Sequence, residues 1–333
     1  MNHYLVTGGG GFIGSHVVRY LLNQNHRVRV LDNFITGNRH NLKEVMENIE
    51  LIDGDFCKEE EARLAVKDID YVIHLGALPS VPRSVKNPML TTDINVSGTV
   101  KLLHAAQDSQ VKRIVFASSS SVYGNSPEFP RQEEQVPQPL SPYAVSKLSG
   151  EFYLKCFYNL HGLETVCLRF FNVFGPRQDP NSHYAAVIPR FIQAVLSDRP
   201  PTVYGDGKQS RDFTFVEDLV NGIYKACHSK SAAGEVINVA CGRRISLNHL
   251  LDLLRDISNK RITPEYTSPR PGDVRDSIAA IEKARNLLGY EPRFTMAEGL
   301  GKTYRWYESQ MKKNGHSVDS SLPEESTSVQ TAA

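Results

Sequence analysis

Tyr143-Ala144-Val145-Ser146-Lys147 places a phenol and an ammonium four residues apart. On a helix such residues share one face, so both groups project to the same side. A free tyrosine has a pKa of about 10 and is protonated at neutral pH. A neighbouring cation favours the phenolate, so Lys147 is expected to pull Tyr143 down. A tyrosine so tuned takes a proton from an alcohol or sugar hydroxyl while a cofactor takes the hydride. The pair alone is a weak signal, because helix packing often sets the same spacing. Its surroundings raise its weight.

The amino-terminal region carries the elements that would position a cofactor. His3–Thr7 reads as a short buried strand, and Ser15–Leu22 follows at helical spacing. Between them Gly9, Gly11 and Gly14 fit G-x-G-x-x-G, and Gly8, Gly11 and Gly14 fit G-x-x-G-x-x-G. Glycines there permit a tight turn and close backbone approach to a pyrophosphate at a helix N-terminus. The strand before and the helix after are the context that makes the motif informative. Phe12 and Ile13 lie inside it and count as cofactor-facing candidates. A second apolar run, Val28–Leu31, ends in Asp32 and Asn33. An acidic side chain there accepts from the adenosine ribose hydroxyls and repels a 2′-phosphate, favouring NAD over NADP. Arg39, close in sequence, softens that exclusion.

Composition removes other classes of function. The net charge is +1, with no basic stripe for nucleic acid and no acidic block. The chain enters a strand at once, without a signal-peptide pattern, and no apolar run approaches the ~18 residues of a membrane span. The five cysteines are scattered without metal-ligand spacing. We therefore expect reduced thiols, no metal and a cytoplasmic location.

Strands and helices alternate through the first half, which predicts an α/β fold of Rossmann type, a doubly wound parallel sheet. Expected strands are Tyr4–Thr7, Arg27–Asp32, Glu50–Asp53, Tyr71–Leu75, Arg113–Ser118, Thr165–Arg169 and Ile237–Val239. Expected helices include Thr92–Ser109, Ser141–His161, Glu217–Cys227, Leu247–Ile257 and Ala297–Ser309. Beyond Phe171 proline and glycine break the alternation. The expected division is a dinucleotide domain over 1–170 with a returning segment at about 214–240. A smaller, discontinuous substrate-binding lobe takes 171–213 and 241–309. Residues 312–333 are polar and are expected to form a disordered tail.

Taken together, these pieces resemble the extended short-chain dehydrogenase/reductase family over about residues 3–307. The motifs are Thr7–Gly14, Asp32, Gly54-Asp55-Phe56, His74-Leu75-Gly76-Ala77, Asn95–Thr99, Ser118–Gly124 and Tyr143–Lys147. Within it the chain is most similar to the UDP-hexose 4-epimerases, through Leu168–Gly175, Tyr204–Gly207, Ser210–Phe213 and Arg270–Asp273. The resemblance implies NAD and a UDP-sugar as ligands. It implies that Asp55 and Phe56 hold the adenine edge, that Gly76, Ala77 and Leu78 line the pyrophosphate and nicotinamide ribose with Leu75 also on the cofactor side, and that Asn95 orders the site. On the substrate side it implies Asn172 at the diphosphate, Arg211 and Arg270 paired with it, and Asp273 on the uridine ribose. A guanidinium fork suits phosphate oxygens.

The serine run after the fifth strand selects the reaction. Alignment on Val122-Tyr123-Gly124 makes Ser119 the serine that bonds the sugar 4-hydroxyl, with Ser120 beside the sugar. Family dehydratases carry an Asp-Glu pair at positions 120 and 121, and nucleotide-glucuronate decarboxylases a Glu at 121. This chain has serines there. The implied reaction is redox-neutral epimerisation at one carbon with retained NAD, carried by Ser119, Tyr143 and Lys147. Ser277, seven residues after Arg270, is small where the family gates the sugar pocket. Gln178, Ala186, Ser120 and Ser277 match the branch that accepts 2-acetamido sugars. UDP-glucuronate 4-epimerase is the near alternative, opposed by Asp179, which would repel the substrate carboxylate. A dehydratase, a one-way dehydrogenase and a non-catalytic dinucleotide binder stay open. A homodimer is expected, through Val100, Leu102, Leu103, Phe152, Leu154 and Phe157, which equally suit the core.

Overall fold

Seven runs of β-branched and apolar residues assemble into one sheet. In the computed structural model, which describes residues 1–180, 186–269 and 275–313, these strands are β1 (His3–Thr7), β2 (Arg27–Asp32), β3 (Glu50–Asp53), β4 (Tyr71–His74), β5 (Arg113–Ser119), β6 (Glu164–Phe170) and β7 (Val236–Val239). Their spatial order is β7-β6-β5-β4-β1-β2-β3, all parallel. The order reverses between β1 and β4, and ligands of such sheets bind outside the carboxyl ends of the strands at that reversal.

Side-chain alternation divides the strands between two cores. Tyr4, Val6, Val30, Ile73, Val115 and Val166 meet the helices Phe12–Asn23 and Val216–His228. Leu5, Leu31, Val72, Ile114, Phe116 and Cys167 meet Glu59–Val66, Thr99–Asp108 and Pro142–His161. The first core runs on into the helices Val187–Leu196, Leu247–Ser258 and Met296–Lys313. Leu102, Leu103 and Leu154 are buried in the second core, whereas Phe152 is 58 % exposed.

Two elements differ from expectation. The region expected as one helix over Thr92–Ser109 opens with a π-turn over Asp93–Gly98, and α-helix begins at Thr99. Such turns displace side chains from helical register and are frequent at functional sites. The helix Met296–Lys313 also runs two residues into the region expected as tail. Residues 314–333 lie outside the described ones. Among the described residues no helix is long and apolar enough to cross a membrane.

Candidate active site

The glycine run turns directly from β1 into the helix Phe12–Asn23. Gly8 has φ +70°, the left-handed region that glycine enters without steric cost. A Cβ on Gly8 would come within 2.9 Å of the Gly76 nitrogen, and one on Gly14 would overlap the Gly8 carbonyl. The result is a floor of bare backbone in a cleft of about 1110 Å³. Phe12, Ile13, Asp32, Asn33, Phe56, Leu75, Gly76, Ala77, Tyr143 and Lys147 line the same cleft. These residues fit a dinucleotide, because only backbone stands where the pyrophosphate must approach a helix N-terminus.

Asp32 shapes that loop. Its Oδ2 accepts from the Gly10 amide at 2.8 Å and its Oδ1 from the Phe34 amide at 2.8 Å. Burial raises its pKa, and the two amides oppose the rise. Arg39 is held away by an ion pair with Asp53 and lies over the Phe34 ring at 4.2 Å. Asn33 Oδ1 accepts from the Ile35 amide at 3.2 Å. Asp55 Oδ1 accepts from the Cys57 amide at 2.8 Å, and Phe56 packs beneath Gly76 and Gly98.

The helix carrying the tyrosine starts where its residue types dictate. Ser141 caps it by accepting from the Ala144 amide at 3.2 Å, and Pro142 takes the first helical position. Tyr143 and Lys147 therefore face β5 together. Lys147 Nζ donates to the Ala117 carbonyl at 2.9 Å and lies 5.9 Å from the Tyr143 ring centroid. The pKa pattern reverses the simple expectation for this pair. Burial disfavours the charged form of each group, raising the Tyr143 phenol and lowering the Lys147 ammonium to about 8. The neighbouring Ser119 hydroxyl pulls Tyr143 back down. Ser119 Oγ also accepts from the Ser121 amide at 3.1 Å, and half-buried Ser120 follows it. Asn95, in the π-turn, accepts from the Leu78 amide at 2.7 Å and donates to Ser146 Oγ at 3.0 Å.

The substrate-side candidates fall in two groups. Gln178 and Ala186 line the cleft. Gln178 Nε2 donates to the Val173 carbonyl at 3.2 Å, and its Oε1 is buried with no partner. Tyr307, from the helix Met296–Lys313, donates its hydroxyl to the Gln178 carbonyl. Asn172, Arg211 and Ser277 form the second group, joined through residues 210–212. Asn172 Nδ2 donates to the Asp212 carbonyl at 3.3 Å, Arg211 Nη1 to the Arg275 carbonyl at 2.9 Å, and the Ser277 amide to the Ser210 carbonyl at 3.1 Å. Asp212 holds this group together. It is fully buried and accepts from the amides of Cys241, Gly242 and Ala279, while burial raises its pKa to about 6. Arg270 and Asp273 lie outside the described residues.

The model of the NAD dependent epimerase/dehydratase family matches residues 4–240. The chain belongs to that family. The UDP-glucose 4-epimerase of Mycolicibacterium smegmatis is 37% identical over 309 residues, covering 92% of this chain and 98% of that one. Among solved structures, the UDP-N-acetylglucosamine 4-epimerase of Methanobrevibacter ruminantium in complex with UDP-N-acetylmuramic acid has a TM-score of 0.89 at 41% identity, covering 93% of this chain and 99% of that chain. The UDP-glucuronic acid 4-epimerase of Bacillus cereus, with UDP-glucuronic acid and NAD, has a TM-score of 0.85 at 34% identity, covering 92% and 99%.

This epimerase-family chain also holds its site through buried groups that carry no motif. Ser118 Oγ donates to Glu151 Oε1 at 2.5 Å, and Arg169 grips both Glu151 oxygens at 2.9 and 2.7 Å. His74 is enclosed between two threonines. Thr99 spends its proton on the Asn95 carbonyl at 2.7 Å, so it accepts from His74 Nε2 at 3.0 Å. Nδ1 then accepts from Thr7 at 2.7 Å. Burial lowers the His74 pKa from 6.5 to about 3. The folded pKa lies below the unfolded one, so the stability is complete above about 6.5 and is lost as pH falls towards 3. On the order of 1–2 kcal/mol should disappear between pH 6.5 and 5. Urea melts of wild type and His74→Asn across that range test this. Parallel pH slopes for the two proteins would remove His74 as the source.

Proposed function

We propose that this chain interconverts UDP-N-acetylglucosamine and UDP-N-acetylgalactosamine as an NAD-dependent UDP-sugar 4-epimerase. The observation that carries the reaction class is the run Ser119-Ser120-Ser121, whose first serine neighbours Tyr143. Eliminating water or losing carbon dioxide calls for carboxyl groups there, whereas removing and restoring one proton needs only the phenol. The small Ser277 and Ala186 support room for an acetamido group. The similar N-acetylglucosamine epimerase adds support. Asp179 at the cleft disfavours a substrate carboxylate.

NAD, when bound, accepts the C4 hydride and returns it. Tyr143 takes the 4-hydroxyl proton, oriented by the Ser119 hydroxyl. Lys147, buried beneath the phenol, supplies positive charge that favours the phenolate. The group around Asp212 anchors the diphosphate through Asn172 and Arg211, with Arg270 as a second guanidinium, and Asp273 accepts from the uridine ribose. The 4-keto sugar turns about that anchor and presents its other face. Tyr143 returns the proton to the oxygen now before it, and the carbon is inverted. Strong diphosphate contacts and permissive sugar contacts follow from that turn.

The test is incubation of the purified protein with UDP-N-acetylglucosamine, UDP-glucose and UDP-glucuronate separately, with epimers resolved by NMR. The expected result is conversion of the acetamido sugar fastest. Ser277→Tyr should cut that conversion by about 10–200-fold, the range that pocket volume supports, and leave UDP-glucose within a few-fold. Conversion of UDP-glucuronate alone would overturn the substrate assignment. Net NADH or a deoxy-keto product would overturn the reaction class.

A further inference from the structure

We propose that Ser84 is a positioning residue for Tyr143, a role that rests on the epimerase reading above. The Tyr143 side chain does the chemistry, but its main chain is what the surroundings hold. Tyr143 is the second residue of its helix, where a backbone N–H has no partner within the helix. That N–H donates to Ser84 Oγ at 3.0 Å, and Ser84 in turn donates to the Val81 carbonyl at 2.7 Å. The hydroxyl thus both donates and accepts, in a residue that is 0% exposed. At the other end of the same residue, the Tyr143 carbonyl accepts from Ser146 Oγ at 2.8 Å, and Ser146 accepts from Asn95.

Both polar groups of the Tyr143 backbone are therefore fixed by serine hydroxyls. One links it to the short helix Val81–Lys86, the other through Asn95 to the Leu78 backbone. Leu78, Pro79, Ser80 and Arg83 form one wall of the cleft. Ser84 ties that wall to the helix bearing the base, so the phenol keeps its distance to Ser119 and to the sugar hydroxyl. Ser119 lowers the Tyr143 pKa. Loosening the N-terminal turn should weaken that contact and let burial raise the phenol further.

Ser84→Ala removes the acceptor, and Ser84→Thr keeps the hydroxyl. For Ser84→Ala we expect kcat to fall by about 10–100-fold, the scale of a small misplacement at a reacting centre. KM and bound NAD should stay within twofold of wild type. The ascending limb of the kcat–pH profile should move to higher pH, and Ser84→Thr should restore most of the rate. Two readouts do not need turnover. Amide exchange at Tyr143 should speed by about tenfold or more in Ser84→Ala, as a protected N–H becomes free to exchange. Phenolate absorbance, taken as the difference from Tyr143→Phe, should titrate at higher pH. Faster exchange with unchanged kcat and titration would overturn the proposal. So would loss of kcat in step with bound NAD and thermal stability, since that marks damage to the whole domain. If the wild type epimerises no sugar, the reaction reading fails, and exchange with titration still decides the Ser84–Tyr143 link.

Discussion

Tyr143→Phe should lower kcat for the preferred UDP-sugar by about 10²–10⁴-fold, the range that general acid–base catalysis supplies. The ring stays and only the hydroxyl leaves, so packing against Lys147 and the cleft is preserved. Bound NAD and the KM for the sugar should change by less than about threefold, because an interaction made only in the transition state affects kcat and kcat/KM alike. Chromatographic separation of the epimers with quantification of released NAD checks both halves. A variant within tenfold of wild type would show that another group moves the proton. The wild-type rate should rise with pH through the ionisation of Tyr143, since the phenolate is the base. Burial places that limb higher than a phenol beside an exposed lysine would give, and Ser119 moderates it.

Glu151→Ala should cost about 3–5 kcal/mol, the loss expected when one partner of a buried ion pair is removed. Glu151 and Arg169 are each 4% exposed and share two hydrogen bonds. Removing the carboxylate leaves a guanidinium in the interior, over the Tyr123 ring at 4.7 Å, and takes the acceptor from Ser118. Urea unfolding checks the magnitude. The double variant Glu151→Met with Arg169→Met should recover much of the loss, because it leaves no buried charge. Equal instability in single and double variants would locate the effect in packing. Activity should fall with stability, since Tyr143, Lys147 and Glu151 occupy one face of the helix that rests on β5. That helix sits close because Gly150 lets the Phe116 ring approach, where a Cβ would come within 2.5 Å.

What can be read from the chain follows from the range of each interaction. β1, β5 and β6 fall within a residue of the runs that mark them, because burial on both faces of a parallel sheet writes itself into consecutive residues. The glycine turn is legible because only glycine meets its backbone demands. The pairing of Tyr143 with Lys147 is legible because helical spacing is local. Glu151 and Arg169 are eighteen residues apart and belong to different elements. Ser84 and Tyr143 are fifty-nine apart, and Asp212 reaches amides 29 to 67 residues away. No local pattern marks such partners, since a serine or aspartate in a loop looks alike whether it caps a turn or clamps two segments. The depressed phenol expected from the Tyr143–Lys147 spacing failed for a related reason. Spacing reports the neighbouring charge but not the desolvation that both groups share.

The helix Met296–Lys313 has a consequence for the birth of the protein. Trp306, Tyr307 and Met311 line the same cleft as Gly8 and Gly11. The floor thus leaves the ribosome well before this wall, whatever flanks them. At about 5–20 residues per second, the roughly 300 residues between Gly8 and Met311 take about 15–60 s to synthesise. Once β7 is made, a nascent chain has its glycine turn and all seven sheet strands but not yet this wall. The cleft that would enclose a dinucleotide is complete only once the later helix docks, so its closure trails its floor by the whole of that interval.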